Sequence, residues 1–149
     1  MEQGPMMSTI DNSVFSLSLK VRDYECDMAD GVNNAVYMNY LEHARHEYLK
    51  ALGIDFAEYA RQKIGLVVLR IEADFKTSLM SGDEFVIRTR IERLSRIRFQ
   101  FAQDIYRLPD ERLVLSAKVI GTAVNARGRP ELPKEIEEVL GAAAEPAAG

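Results

Sequence analysis

Residues 25–52, ECDMADGVNNAVYMNYLEHARHEYLKAL, hold the pattern that decides the fold. Tyr37, Tyr40, Leu41, Ala44, Tyr48 and Leu52 recur at three- and four-residue steps, which places them on one face of a helix. The spacing predicts one long helix from about Ala35 to Leu52, with Gly53 as its stop. Upstream, Asp27 to Asn34 is rich in turn formers. The helix is therefore entered through a turn, and Asn33 or Asn34 is placed to cap it.

On either side of the helix the period changes to two. Phe15, Leu17, Leu19 and Val21 alternate with polar residues and predict a half-buried strand. Beyond a short second helix in DFAEYARQK, four more strands are expected. They are marked by Val67 to Phe75, by Phe85 to Ile91, by Ile97, Phe99 and Phe101, and by Leu113 to Val124. Turns fall at Ser81–Asp83 and Leu108–Arg112. Short connections between long strands favour antiparallel neighbours over helical crossovers. The expected class is α+β, a long helix against one face of a curved five- to six-stranded antiparallel sheet. No internal repeat is present.

A chain of 149 residues with 47% hydrophobic content builds one core and leaves no room for a second domain. We assign that domain to residues 14–140, between a loose leader at 1–13 and a low-complexity tail, GAAAEPAAG, at 141–149. The net charge of -4 argues against a nucleic acid or an acidic membrane surface as partner. No apolar run approaches the roughly 20 residues that cross a bilayer. A single cysteine, Cys26, and no cationic, apolar leader point to a reducing, cytoplasmic setting.

The stretch YECDMADGVNNAVYMNYLEHARHEYL resembles the hot-dog-fold acyl thioesterases of the 4-hydroxybenzoyl-CoA thioesterase type. Asp27, Gly31, Asn33, Asn34, Tyr37, Tyr40, Ala44, Arg45 and Glu47 carry the likeness. It is nearest to the acyl-ACP or acyl-lipid branch, through Asn-Asn-Ala-Val-Tyr, and extends from about Phe15 to Pro133. Two positions depart from relatives: Ser78 stands where many have proline, and Asn34 where a sister branch has histidine. The resemblance implies a hot-dog fold whose long helix is wrapped by the sheet. It also implies a homodimer, or a dimer of dimers giving a homotetramer, with active sites at the subunit interface. Acyl-CoA or acyl carrier protein thioesters are the implied substrates, with no cofactor or metal.

Thioester hydrolysis needs an attacking oxygen and donors for the developing oxyanion. The resemblance makes Asp27 the catalytic carboxylate, as nucleophile or as general base. The helix start at Asn34 offers backbone N–H groups and the positive end of the helix dipole as an oxyanion hole. Gly31, Val32, Asn33 and Tyr37 complete the expected substrate-binding set. Read without the resemblance, Asp27 and Asp30 are turn residues and Asn33 or Asn34 an ordinary cap.

Other groups are weaker candidates. His43, His46 and Glu47 share a helix side but have no second ligand cluster. Cys26 has no activating histidine near it in sequence. Tyr37, Tyr40 and Tyr48 fit either a core or an acyl tunnel. Arg88, Arg90, Arg93, Arg96 and Arg98, with Arg127 and Arg129, suit a solvated sheet face, or the phosphates of CoA or an acidic carrier protein. A polyketide-releasing thioesterase and a non-catalytic acyl-CoA-binding module remain as alternative functions.

Overall fold

The structure is a computed structural model and describes residues 9–10, 14–28 and 31–144. In chain order it comprises β1 (Thr9–Ile10), β2 (Phe15–Lys20), a 3-10 turn (Asp23–Glu25), β3 (Cys26–Asp27), β4 (Gly31–Val32), α1 (Asn34–Ala51) and α2 (Phe56–Arg61). There follow β5 (Gly65–Phe75), β6 (Glu84–Arg93), β7 (Phe99–Leu108), β8 (Arg112–Val124) and α3 (Lys134–Ala144).

Six strands form one antiparallel sheet in the order β1-β2-β6-β7-β8-β5; the antiparallel pairing is as expected, but β5 and β6, consecutive in the chain, are not neighbours, and β7 and β8 lie between them. Its register aligns core side chains into rows that cross the strands. Leu17 pairs with Ile87, Ile87 with Ile105, and Ile105 with Leu115, and all four are buried. Helix α1 lies on this face. Its Tyr40 meets Phe85 at 4.7 Å between ring centroids, and its Tyr48 stacks on Phe15 at 5.4 Å. The three tyrosines of α1 are thus buried, as the helical spacing requires.

One row of the core is polar. Thr89 and Gln103 are fully buried side by side beneath α1. The Gln103 amide donates to the Leu41 carbonyl (3.0 Å) and to the Thr89 hydroxyl (3.1 Å), and its oxygen accepts from the Arg45 guanidinium (3.2 Å). Every polar group of Gln103 is therefore used at the helix–sheet junction, which fixes the helix along its axis. Burial lowers the Arg45 pKa, with Glu42 acting against it.

The structure adjusts four expectations. Strand β7 begins at Phe99, not Ile97: the Leu94 N–H bonds the Arg98 carbonyl, and the Arg93 guanidinium bonds the Ser95 and Arg96 carbonyls, so residues 94–98 close a hairpin. The tail expected from Gly141 meets helix α3, which runs on to Ala144; residues 145–149 lie outside the described residues. Within α3, Ile136, Val139 and Leu140 form a buried stripe that supplies the energy to hold the helix. At the other end, Thr9 and Ile10 pair with β2, while the rest of the 1–13 leader lies outside the described residues. Finally, the turn before α1 contains a small ladder of its own, Cys26 opposite Val32 and Asp27 opposite Gly31.

Gln103→Leu retains the size of the side chain but leaves the Arg45, Thr89 and Leu41 groups short of a partner. We expect it to lower unfolding free energy by about 2 kcal/mol or more, measured by urea denaturation. An unchanged midpoint would show that the polar row carries no weight.

Candidate active site

The site is built by what joins the 3-10 turn to α1. Strand β4 is held by the Val32 N–H bonding the Leu79 carbonyl at 2.9 Å. Gly31, at φ +82, lies so close to this segment that a Cβ there would sit 2.5 Å from the Leu79 oxygen and 2.9 Å from Met80 Sδ. Only glycine fits, on both conformational and steric grounds. Its close neighbour is therefore the Leu79–Met80 backbone and side chain, and Gly31 is buried rather than among the cleft residues.

Asn33 follows and serves two partners. Its side-chain oxygen caps α1 by accepting the Ala35 N–H at 2.8 Å, and its amide nitrogen donates to Asp27 Oδ1 at 3.0 Å. Because the cap requires the oxygen to face the helix, the NH₂ must face Asp27. The Asn33 carbonyl accepts both the Val36 and Tyr37 N–H groups. Among the described residues, the Asn34 N–H has no acceptor, and Asp27 Oδ2 has no donor.

Asp27, Val32, Asn33, Asn34 and Tyr37 line one open cleft of about 550 Å³ with residues 75–78, Phe75 to Ser78. The cleft thus gathers five of the six sequence-derived candidates. Tyr37 is 2% exposed, and its hydroxyl accepts the Leu79 N–H at 2.9 Å. Burial raises its pKa, opposed by that hydrogen bond. The Cys26 thiol is likewise pushed up, by desolvation and then by Asp23, Glu25 and Asp27. A raised pKa keeps the thiol protonated, which disfavours it as a nucleophile.

The remaining candidates lie elsewhere. His46 faces Glu42 at 3.9 Å and packs on Phe56, while Glu47 pairs with Lys50. Among the described residues, no group of three or more His, Cys, Asp or Glu is placed to hold a metal. Arg88 stacks on Tyr106 and Arg93 pairs with Glu137, so part of the arginine cluster serves the sheet surface. The Asp30 turn position lies outside the described residues. Sequence reading missed the 75–78 segment and Glu25, because both reach the site by tertiary packing rather than by spacing along α1.

A polar cleft at a helix start, on a helix wrapped by an antiparallel sheet, defines a class. The Thioesterase-like superfamily model matches residues 21–141, and the chain belongs to that family. The chloroplastic acyl-acyl carrier protein thioesterase ATL3 of Arabidopsis thaliana is 41% identical over 121 residues, covering 80% of this chain and 64% of that protein. Its relative ATL2 is 38% identical over 126 residues, covering 84% and 67%. The chain thus spans about two thirds of the length of these curated relatives. The crystal structure of a 1,4-dihydroxy-2-naphthoyl-CoA thioesterase from Synechocystis matches with TM-score 0.82 at 16% identity, covering 89% of this chain and 99% of that one. The fold is therefore the hot-dog fold of thioesterases.

Gly31→Ala tests how the turn is held. The added methyl collides with the Leu79 carbonyl and strains the backbone, so a loss of about 2 kcal/mol or more is expected in chemical denaturation. A change within about 0.5 kcal/mol would mean that residues 79–80 yield freely.

Proposed function

We propose that this protein hydrolyses acyl thioesters, of CoA or of acyl carrier protein, to a free acid and a thiol. Asp27 is the catalytic carboxylate, and the Asn34 N–H at the start of α1 is the oxyanion donor. One observation carries the reading: of the first backbone N–H groups of α1, those of Ala35, Val36 and Tyr37 are all engaged, while that of Asn34 has no acceptor among the described residues and borders the cleft that holds Asp27. A developing oxyanion there gains a preorganised donor and the positive end of an 18-residue helix.

The Asn33 amide holds Asp27 by Oδ1, which leaves Oδ2 for chemistry. As a general base, Oδ2 takes a proton from water while the water oxygen bonds the carbonyl carbon. The C–S bond then breaks, and the thiolate leaves with a proton. As a nucleophile, Oδ2 bonds the carbonyl carbon directly, expels the thiolate and forms an anhydride that water hydrolyses. Either route needs the same orientation of the carboxylate, so the clamp serves both. Val32, Asn33 and Tyr37 border the acyl group in this reading, and Gly31 sets the turn that presents them.

Acyl carrier protein is favoured as a thiol carrier by the names of the Arabidopsis relatives, and CoA by that of the Synechocystis one. A homodimer, or a dimer of dimers, is supported by β5. This strand ends the sheet and exposes Val67, Val68, Leu69, Ile71 and Phe75. Phe75 also lines the cleft, so a second copy on this edge would adjoin the site. Among the described residues no helix is long and apolar enough to cross a membrane. The lone cysteine supports the cytoplasm as the location, although the Arabidopsis relatives are chloroplastic by name.

The test is thiol release, followed colorimetrically across acyl-CoAs and acyl carrier protein thioesters of graded chain length. Asp27→Asn is expected to lower kcat on the order of 10²–10⁴-fold. Full activity in that variant, or saturable acyl-CoA binding by the wild type without thiol release, would overturn the proposal.

A further inference from the structure

We propose that Glu25 is a positioning residue that fixes Asp27 relative to the helix start, acting through Asn33 and anchored by Tyr40. The inference rests on Asp27 being the catalytic carboxylate. Glu25 is only 8% exposed, and a buried carboxylate is strongly destabilising unless donors surround it. Here they do. Glu25 Oε1 accepts the Tyr40 hydroxyl at 2.7 Å and the Arg22 N–H at 2.8 Å, and Oε2 accepts the Arg22 guanidinium at 3.3 Å. Burial, and then Glu25 itself, raises the Tyr40 pKa, so that hydroxyl remains a donor.

The main chain of the same residue holds Asp27 through Asn33. The Glu25 carbonyl accepts the Asn33 N–H at 3.0 Å, and the Asn33 amide donates to Asp27 Oδ1 at 3.0 Å. With the chain from Glu25 through Cys26 to Asp27, these two bonds close a ring. Asp27 cannot swing away without breaking one of them. Tyr40 then ties the ring to α1, the helix whose first N–H is the proposed oxyanion donor. The separation of acid and donor is thereby braced by a buried contact between the 3-10 turn and the helix. Rate is sensitive to that separation, since displacements of about 1 Å cost on the order of 100-fold. An apolar residue at position 25 would fill the space but fix neither Tyr40 nor Arg22.

The experiment measures kcat and KM for thiol release from the best acyl-CoA. It compares wild type, Asp27→Asn, Glu25→Gln, Tyr40→Phe, Asn33→Ala and the double variant Glu25→Gln with Asn33→Ala, alongside each thermal midpoint. Tyr40→Phe, which removes the buried contact, is expected to lower kcat on the order of 10- to 100-fold with KM unchanged. Glu25→Gln keeps an oxygen acceptor but loses the charge and the Oε2 that takes the Arg22 guanidinium, and is expected to lower kcat by about 3- to 10-fold. The double variant is expected to lose little more than Asn33→Ala alone, because the Glu25 side chain acts on Asp27 only through the ring that Asn33→Ala already opens. Unchanged kcat in both Glu25→Gln and Tyr40→Phe, or losses that multiply fully in the double variant, would overturn the proposal. If Glu25→Gln does not fold, Tyr40→Phe decides, since it removes one hydroxyl: an unchanged kcat overturns. A wild type that releases no thiol from any ester overturns the thioesterase reading and this inference together. An inactive Asp27→Asn beside a fully active Glu25→Gln and Tyr40→Phe overturns this inference alone.

Discussion

The side chain of Asn33 is where folding and chemistry meet. A helix start leaves backbone donors unsatisfied, and Asn33 answers by turning its oxygen onto the Ala35 N–H. That requirement leaves the amide nitrogen with one direction to face, and Asp27 is there. The orientation of the carboxylate follows from the need to cap a helix. An aspartate would cap as well, but it has no donor to give to Asp27.

The cap has this effect only because the helix is itself immobile. Gln103 bonds Leu41 from below, Tyr40 bonds Glu25 from the side, and the Tyr37 hydroxyl accepts the Leu79 N–H near its first turn. Aromatic packing of Tyr40 on Phe85 and Tyr48 on Phe15 supplies the non-directional part of the hold. Directional contacts to three different parts of the chain leave α1 neither sliding nor rolling. A preorganised donor at its first residue depends on that rigidity.

Much of this was legible in the sequence. The three- and four-residue steps of Tyr37, Tyr40, Leu41, Ala44 and Tyr48 gave the helix, and Asn33 was readable as its cap. Alternation in Phe15 to Val21 and in the later segments gave the antiparallel strands, because the pleat demands a period of two. The resemblance then singled out Asp27 and Asn34. By contrast, α3 went unread, since its buried stripe is only Ile136, Val139 and Leu140 beside a low-complexity tail. Gly31 was placed in the substrate-binding set, and the structure adds that its missing side chain makes room for Leu79.

The sequence by itself determined α1, α2 and the long strands and the order in which they come, because helix and strand periods, caps and turns are local properties of neighbouring residues. It also placed the acid, the turn and the helix start within one short stretch. Only the tertiary structure decided that residues 75–78 form the other wall of the cleft, that Leu79 braces the turn, and that a buried Glu25 joins Tyr40. Those contacts join residues 15 to 47 positions apart, and their existence depends on how α1 settles on the sheet. No period or spacing along the chain encodes that distance, so the contacts become visible only once the chain is folded.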